Sequence, residues 1–93
     1  MSDTTTDILV VDDHPLFREG VVHSLQLVPG FRVVGETASG EEALAMAIRL
    51  LPDVVLLDVN MPGWNGIVTA EKIALACPST AIVMLTGADD KDK

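Results

Sequence analysis

Four short apolar runs, separated by segments of helical period, restrict the fold of this chain more than any other feature. They are Ile8-Leu9-Val10-Val11, Phe31-Arg32-Val33-Val34, Val54-Val55-Leu56-Leu57 and Ala81-Ile82-Val83-Met84-Leu85. All are rich in β-branched residues and mostly lack apolar–polar alternation, the pattern of parallel strands buried on both faces. Between the first two runs, Phe17, Val21, Leu25 and Val28 recur at helical spacing, with Pro15 near the start and Pro29-Gly30 at the end. After the second run, Leu44, Ala47, Ile48 and Leu51 predict one helix face, and Ser39 and Glu42 have capping-box spacing ahead of it. After the third, Ile67, Ala70, Ile73, Ala74 and Cys77 predict a narrower face stopped by Pro78, with Asn65 and Thr69 both candidates for its start. The order is β-α-β-α-β-α-β and then an acidic tail. Such alternation gives a doubly wound parallel α/β sheet with right-handed crossovers and helices on both faces.

Length and charge narrow the functional classes. Ninety-three residues fall short of the roughly 150 of an average domain, so a single unit over 1–93 is expected. Lys plus Arg number 6 against 14 for Asp plus Glu, a formal net charge of −8. That balance argues against nucleic-acid binding by this chain and against an anionic membrane surface, since both need clustered cations. No unbroken apolar run exceeds the six residues Ala43 to Ile48, far below the ~20 that span a bilayer. Met1 to Asp7 carries no basic or apolar region of a signal peptide. The single cysteine, Cys77, excludes an intrachain disulfide, and a cytoplasmic protein is expected.

Reading the residue after each strand locates the chemistry. The first run is followed by Asp12-Asp13, the third by Asp58, and the fourth by Thr86-Gly87. In open α/β sheets ligands bind outside the carboxyl ends of the strands, so three carboxylates and a hydroxyl meet on one rim. The second run carries Arg32 and continues into Gly35-Glu36, which marks it as an edge. Any one of these aspartates alone is more often a turn or cap residue; their joint placement on strand ends favours a site. Oxygen ligands without His or Cys suit Mg²⁺ or Mn²⁺ rather than Zn²⁺. A carboxylate beside such an ion can attack phosphorus and form an aspartyl phosphate. Thr86 and the N–H groups of Gly87 and Ala88 are placed to bind a phosphoryl oxygen.

These residues resemble a known family. Ile8 to Pro15, Leu56 to Gly63 through Gly66, and Val83 to Gly87 are similar to the receiver domain of bacterial two-component response regulators. The stretch Asp12 to Gly20 most resembles the subgroup with LuxR/NarL/FixJ-type helix-turn-helix output domains. The resemblance covers residues 7 to 90 and implies a flavodoxin-like sheet. It further implies that Asp58 accepts a phosphoryl group from a sensor histidine kinase or a small acyl phosphate. Asp13, Asp58 and the backbone carbonyl of Asn60 would ligate Mg²⁺, with Asp12 acting mainly through water. Thr86 would be the switch hydroxyl, Pro62 and Gly66 would shape the loop after the acceptor, and Asn60 and Ala88 would flank it. The chain would be a phosphoacceptor in transcription control, not an enzyme beyond self-phosphorylation and autodephosphorylation. His14 is expected as an N-cap or solvent residue, His23 on a helix surface, and Trp64 as a half-buried residue in the loop near the site.

The chain departs from the family pattern at its end. The family sheet has order 2-1-3-4-5; here the order 2-1-3-4 is expected, with the fifth strand, its Lys, the later helices and any output domain beyond the sequence given. A receiver domain that is C-terminally incomplete is therefore expected. Asp89 to Lys93 reads as the solvated start of a fourth helix. The fourth run would be an apolar sheet edge, which a homodimer or domain-swapped oligomer would cover. Two other functions compete. A receiver-like binding or dimerisation module that is not phosphorylated would retain the fold without the chemistry. A haloacid-dehalogenase-like phosphatase needs a second Asp two residues after the nucleophile, and that position is Asn60.

Overall fold

The elements alternate as the sequence predicts. In the computed structural model, which describes residues 4–61 and 63–85, they are β1 (Thr6–Val11), α1 (Pro15–Gln26), β2 (Phe31–Thr37), α2 (Gly40–Leu50), β3 (Val54–Asp58), α3 (Gly66–Ala76) and β4 (Ala81–Leu85). The strands form one parallel sheet in the order β2-β1-β3-β4, a flavodoxin-like α/β architecture. The charged β2 is an edge, where Arg32 pairs with Asp7 at 2.9 Å. Right-handed crossovers send the chain leftward through α1 and then rightward through α2 and α3. α1 therefore covers one face of the sheet, while α2 and α3 cover the other and contact each other. Among the described residues, no helix is long and apolar enough to cross a membrane.

The core lies on the α2–α3 face. Leu9, Val11, Val55 and Leu57 project there from β1 and β3 and pack with Ala43, Ala47, Met61, Ile73 and Cys77. Ile82 and Met84 of β4 border the same cluster. The helix faces differ from those expected. α2 buries Gly40, Ala43 and Ala47, whereas Ile48 and Leu51 are exposed. α3 buries Gly66, Thr69 and Ile73, whereas Ile67 is exposed. Apart from Ile73, the buried positions of both helices carry small side chains, which lets the helices approach the sheet closely. Gly35 of β2 belongs to the same packing: a Cβ there would lie 2.6 Å from Met46 Cε.

α1 is the larger correction. Its predicted face of Phe17, Val21, Leu25 and Val28 contains no buried residue, and the helix ends at Gln26, before Val28. Leu16, Phe17, Gly20, Val21, Ser24 and Leu25 instead line an open groove. α1 packs against β1 and β2, and α2 and α3 lie on the opposite face, so among the described residues no second helix shares its layer to close over that face. Gly20 sits mid-helix with open space around it. Gly20→Ala is expected to stabilise the domain by about 0.5–1 kcal/mol by reducing the backbone freedom of the unfolded chain. A higher urea midpoint at unchanged slope would report it.

The caps resolve what periodicity left open. Ser39 caps α2, its Oγ accepting from Glu42 N–H at 3.1 Å. The return half of the box is rerouted, with Thr37 Oγ1 donating to Glu42 Oε1 and accepting from Ser39 N–H at 3.3 Å. Asn65, not Thr69, caps α3, its Oδ1 accepting from Val68 N–H at 3.0 Å. Thr69 is buried and donates to the Trp64 carbonyl.

Candidate functional site

The C-terminal ends of β1 and β3 lie side by side, since Val11 pairs with Leu57 in register. The next residues, Asp12 and Asp58, therefore share the rim. Both are buried, at 1% and 3% exposure. Asp13 is partly exposed beside them, and oxygens of all three carboxylates lie with a His14 nitrogen inside a 4.8 Å group. The sequence predicts that Asp12, Asp13 and Asp58 meet, and the structure brings them together. Asn60 follows in the loop and donates its N–H to Asp58 Oδ1 at 3.0 Å.

Surrounding backbone holds this arrangement. Asp12 N–H donates to the Thr37 carbonyl at 3.0 Å, tying the rim to β2. Arg18 Nη1 donates to the Asp12 carbonyl at 2.8 Å while its Nε pairs with Glu36 at 3.1 Å. Val59 N–H donates to Leu85 O at 3.1 Å, and Gly66 N–H to Val59 O at 3.0 Å, which folds the loop after β3 back onto α3. A Cβ on Gly66 would collide with the Asp58 carbonyl and with Val59 Cα. Gly63, in the same loop, has φ +69°, a conformation that favours glycine. Trp64 is half-buried as expected, with Lys72 Nζ 4.9 Å from its ring centroid. Thr86, Pro62, Gly87 and Ala88 lie outside the described residues, as does the tail from Asp89 to Lys93.

Electrostatically the group is under-compensated. Burial raises the Asp58 carboxyl above its ordinary pKa, and Asp12 and Asp13 add to the rise; the Asn60 N–H and His14 oppose it. Among the described residues no Lys or Arg side chain pairs with these three carboxylates. Asp13 Oδ1 is buried without a hydrogen-bond partner, which leaves an acceptor aimed into the group. Three converging carboxylates with an orphaned oxygen fit a hard divalent cation.

His14 stands at the N-cap position with an exposed side chain, as expected, but sequence reasoning missed its contact with the carboxylates and missed Arg18 altogether. His14 occupies the N-cap position of α1 but makes no side-chain cap. Its Nδ1 lies 3.3 Å from Asp12 Oδ1, 3.2 Å from Asp13 Oδ1 and 3.7 Å from Asp58 Oδ2. The hydrogen bond to Asp12 and then the charge of Asp13 raise the imidazole pKa. Adjacency to the acidic pair was the available signal. Arg18 had none, since its contact depends on how α1 returns over β1.

Comparison with known proteins places the chain among similar sequences and folds. The family described as "Response regulator receiver domain" matches residues 8–93. The nitrate/nitrite response regulator protein NarL of Escherichia coli (strain K12) is 43% identical over 79 residues, covering 85% of this chain and 37% of that protein. The response regulator GacA of Pseudomonas syringae pv. syringae is 46% identical over 79 residues, again covering 85% and 37%. The signal receiver domain of the putative response regulator NarL from Mycobacterium tuberculosis superposes with a TM-score of 0.85. It is 41% identical, with 92% of this chain and 69% of that one covered. The chain thus spans little more than a third of the curated relatives it matches.

Proposed function

The chain belongs to the response regulator receiver domain family, and on that premise we propose that Asp58 accepts a phosphoryl group from a sensor histidine kinase. Its geometry supports this role. Asp58 ends β3, is buried, and lies in one group with Asp12 and Asp13, and the orphaned Oδ1 of Asp13 supports reading that group as a cation site. That grouping is the observation on which the reading rests. Asp13, Asp58 and the Asn60 carbonyl would hold Mg²⁺ or Mn²⁺, with Asp12 acting mainly through water. When bound, the ion neutralises charge on the phosphoryl oxygens.

A carboxylate oxygen of Asp58 attacks phosphorus, and an O–P bond forms as the P–N bond of a phosphohistidine breaks. The electron pair leaves with the imidazole, which takes up a proton. An acyl phosphate donates in the same way, its P–O bond breaking and the pair leaving with the carboxylate. The Asn60 N–H orients Asp58, and Arg18 holds the backbone of Asp12. Thr86 supplies the switch hydroxyl. A phosphatase of the haloacid-dehalogenase type is disfavoured, because the amide of Asn60 carries no acidic proton for a leaving group.

The larger protein to which such a domain belongs would control transcription through an output domain. It would work in the cytoplasm, with a homodimer as the assembled form. Incubation with acetyl phosphate tests the central claim by intact mass. A single phosphoryl adduct is expected with Mg²⁺ and none after chelation. No adduct from either acetyl phosphate or a phosphorylated kinase would overturn the reading in favour of an unphosphorylated binding module.

A further inference from the structure

His14 is poorly explained by its local position. It stands at the N-cap of α1 without capping the helix, and its side chain is 66% exposed, so packing does not hold it. Yet Nδ1 sits within 3.2–3.7 Å of oxygens from three different carboxylates. We propose that His14 is a further ligand of the acidic site, and that through its Nδ1 the site favours a divalent transition metal over Mg²⁺. This rests on the reading of Asp12, Asp13 and Asp58 as a cation site.

Donor spacing supports the assignment. Metal–nitrogen and metal–oxygen bonds of about 2.0–2.2 Å put adjacent ligands of one ion roughly 3 Å apart. His14 Nδ1 is 3.2 Å from Asp13 Oδ1, so a small pivot of an exposed ring brings the two onto one cation. Asp13 Oδ1 is the oxygen left without a hydrogen bond, because the Nδ1 bond is directed at Asp12. Ligation requires the Nδ1 lone pair. The proton shared with Asp12 is released, and the neutral ring retains its proton on Nε2. Imidazole suits transition metals, whereas Mg²⁺ prefers oxygen and water. The ordinary alternative is an ion pair in which His14 merely counters the carboxylates. The two roles predict opposite signs: removing a competing imidazolium raises the affinity for every divalent cation, whereas removing a ligand weakens only those that accept nitrogen.

Calorimetric titration of the 93-residue chain with Co²⁺ and with Mg²⁺, at one fixed pH, separates them. His14→Phe and His14→Gln are expected to lower Co²⁺ affinity at least about tenfold, since even groups that only support a ligand cost that much. Mg²⁺ affinity should hold or rise. The visible absorption of bound Co²⁺ should change in both variants, reporting loss of a nitrogen donor. Co²⁺ affinity unchanged or raised in both variants, or Co²⁺ and Mg²⁺ weakened alike, would overturn the proposal. Asp13→Asn distinguishes the underlying reading: if it leaves both metals bound as before, the cation site itself is refuted. If it weakens both while the His14 variants still bind Co²⁺ tightly, only the role of His14 falls.

Discussion

Asp58→Asn will reduce phosphoryl incorporation to background while leaving the domain folded. The substitution replaces a carboxylate nucleophile with an amide of nearly the same shape, and Asn60 N–H retains an oxygen to donate to. The loss follows from chemistry, because no neighbouring carboxylate takes over: Asp12 is bound to the N–H and ring of His14, and Asp13 is on the adjacent strand end. Stability should move the other way. A carboxyl whose pKa rises on folding contributes stability that is fully present below its ordinary value of 3.8 and is lost as pH rises from there through the raised value of the folded state. At neutral pH an ionised, buried Asp58 beside Asp12 and Asp13 opposes folding, and the neutral amide removes that opposition. The metal-free variant should therefore melt at or above the wild-type temperature, and added Mg²⁺ should raise its Tm less, because one ligand is lost. Phosphorylation persisting in the variant would place the acceptor elsewhere.

Gly66→Ala will be among the most damaging single substitutions, although it adds one methyl group. Gly66 opens α3 and packs against the backbone of Asp58 and Val59, and a Cβ there meets main-chain atoms rather than a flexible side chain. Overpacking ordinarily costs about 1–3 kcal/mol. With rigid backbone as the obstacle, we expect about 3 kcal/mol or more, a fall in Tm of more than about 10 °C in a domain of this size. Phosphorylation should fall as well, because relief requires the loop carrying Asn60 to move away from Asp58. The contrast with Gly20, where a Cβ meets nothing within 4 Å, shows that the damage is a matter of place and not of glycine. Thermal melts of the two alanine variants should shift in opposite directions.

The element order, the parallel sheet and the meeting of Asp12, Asp13 and Asp58 were legible in the residues themselves. The reason is topological: right-handed crossovers bring every strand's carboxyl end to one edge, so a polar residue after an apolar run has its position determined by connectivity alone. The edge position of β2 was legible from Arg32 for a related reason, since a charge in a strand needs solvent or a partner, here Asp7.

Other features were decided only by the packed structure. Periodicity counted Ile48, Leu51 and Ile67 as core, yet Gly40, Ala43, Ala47, Gly66 and Thr69 face the sheet. Hydrophobic spacing finds a helix face but carries no measure of how near the helix comes, and close approach selects small side chains. Adjacency to Asp12-Asp13 put His14 near the acids, but its reach to all three carboxylates depends on where α1 leaves β1. The same holds for Arg18 on the Asp12 carbonyl and for Gly66 against Asp58. Sequence by itself determined which elements form and on which rim the acids gather, because both follow from local period and chain connectivity. Tertiary structure decided which atoms touch within that rim, because distances between elements are set jointly by all the side chains packed between them.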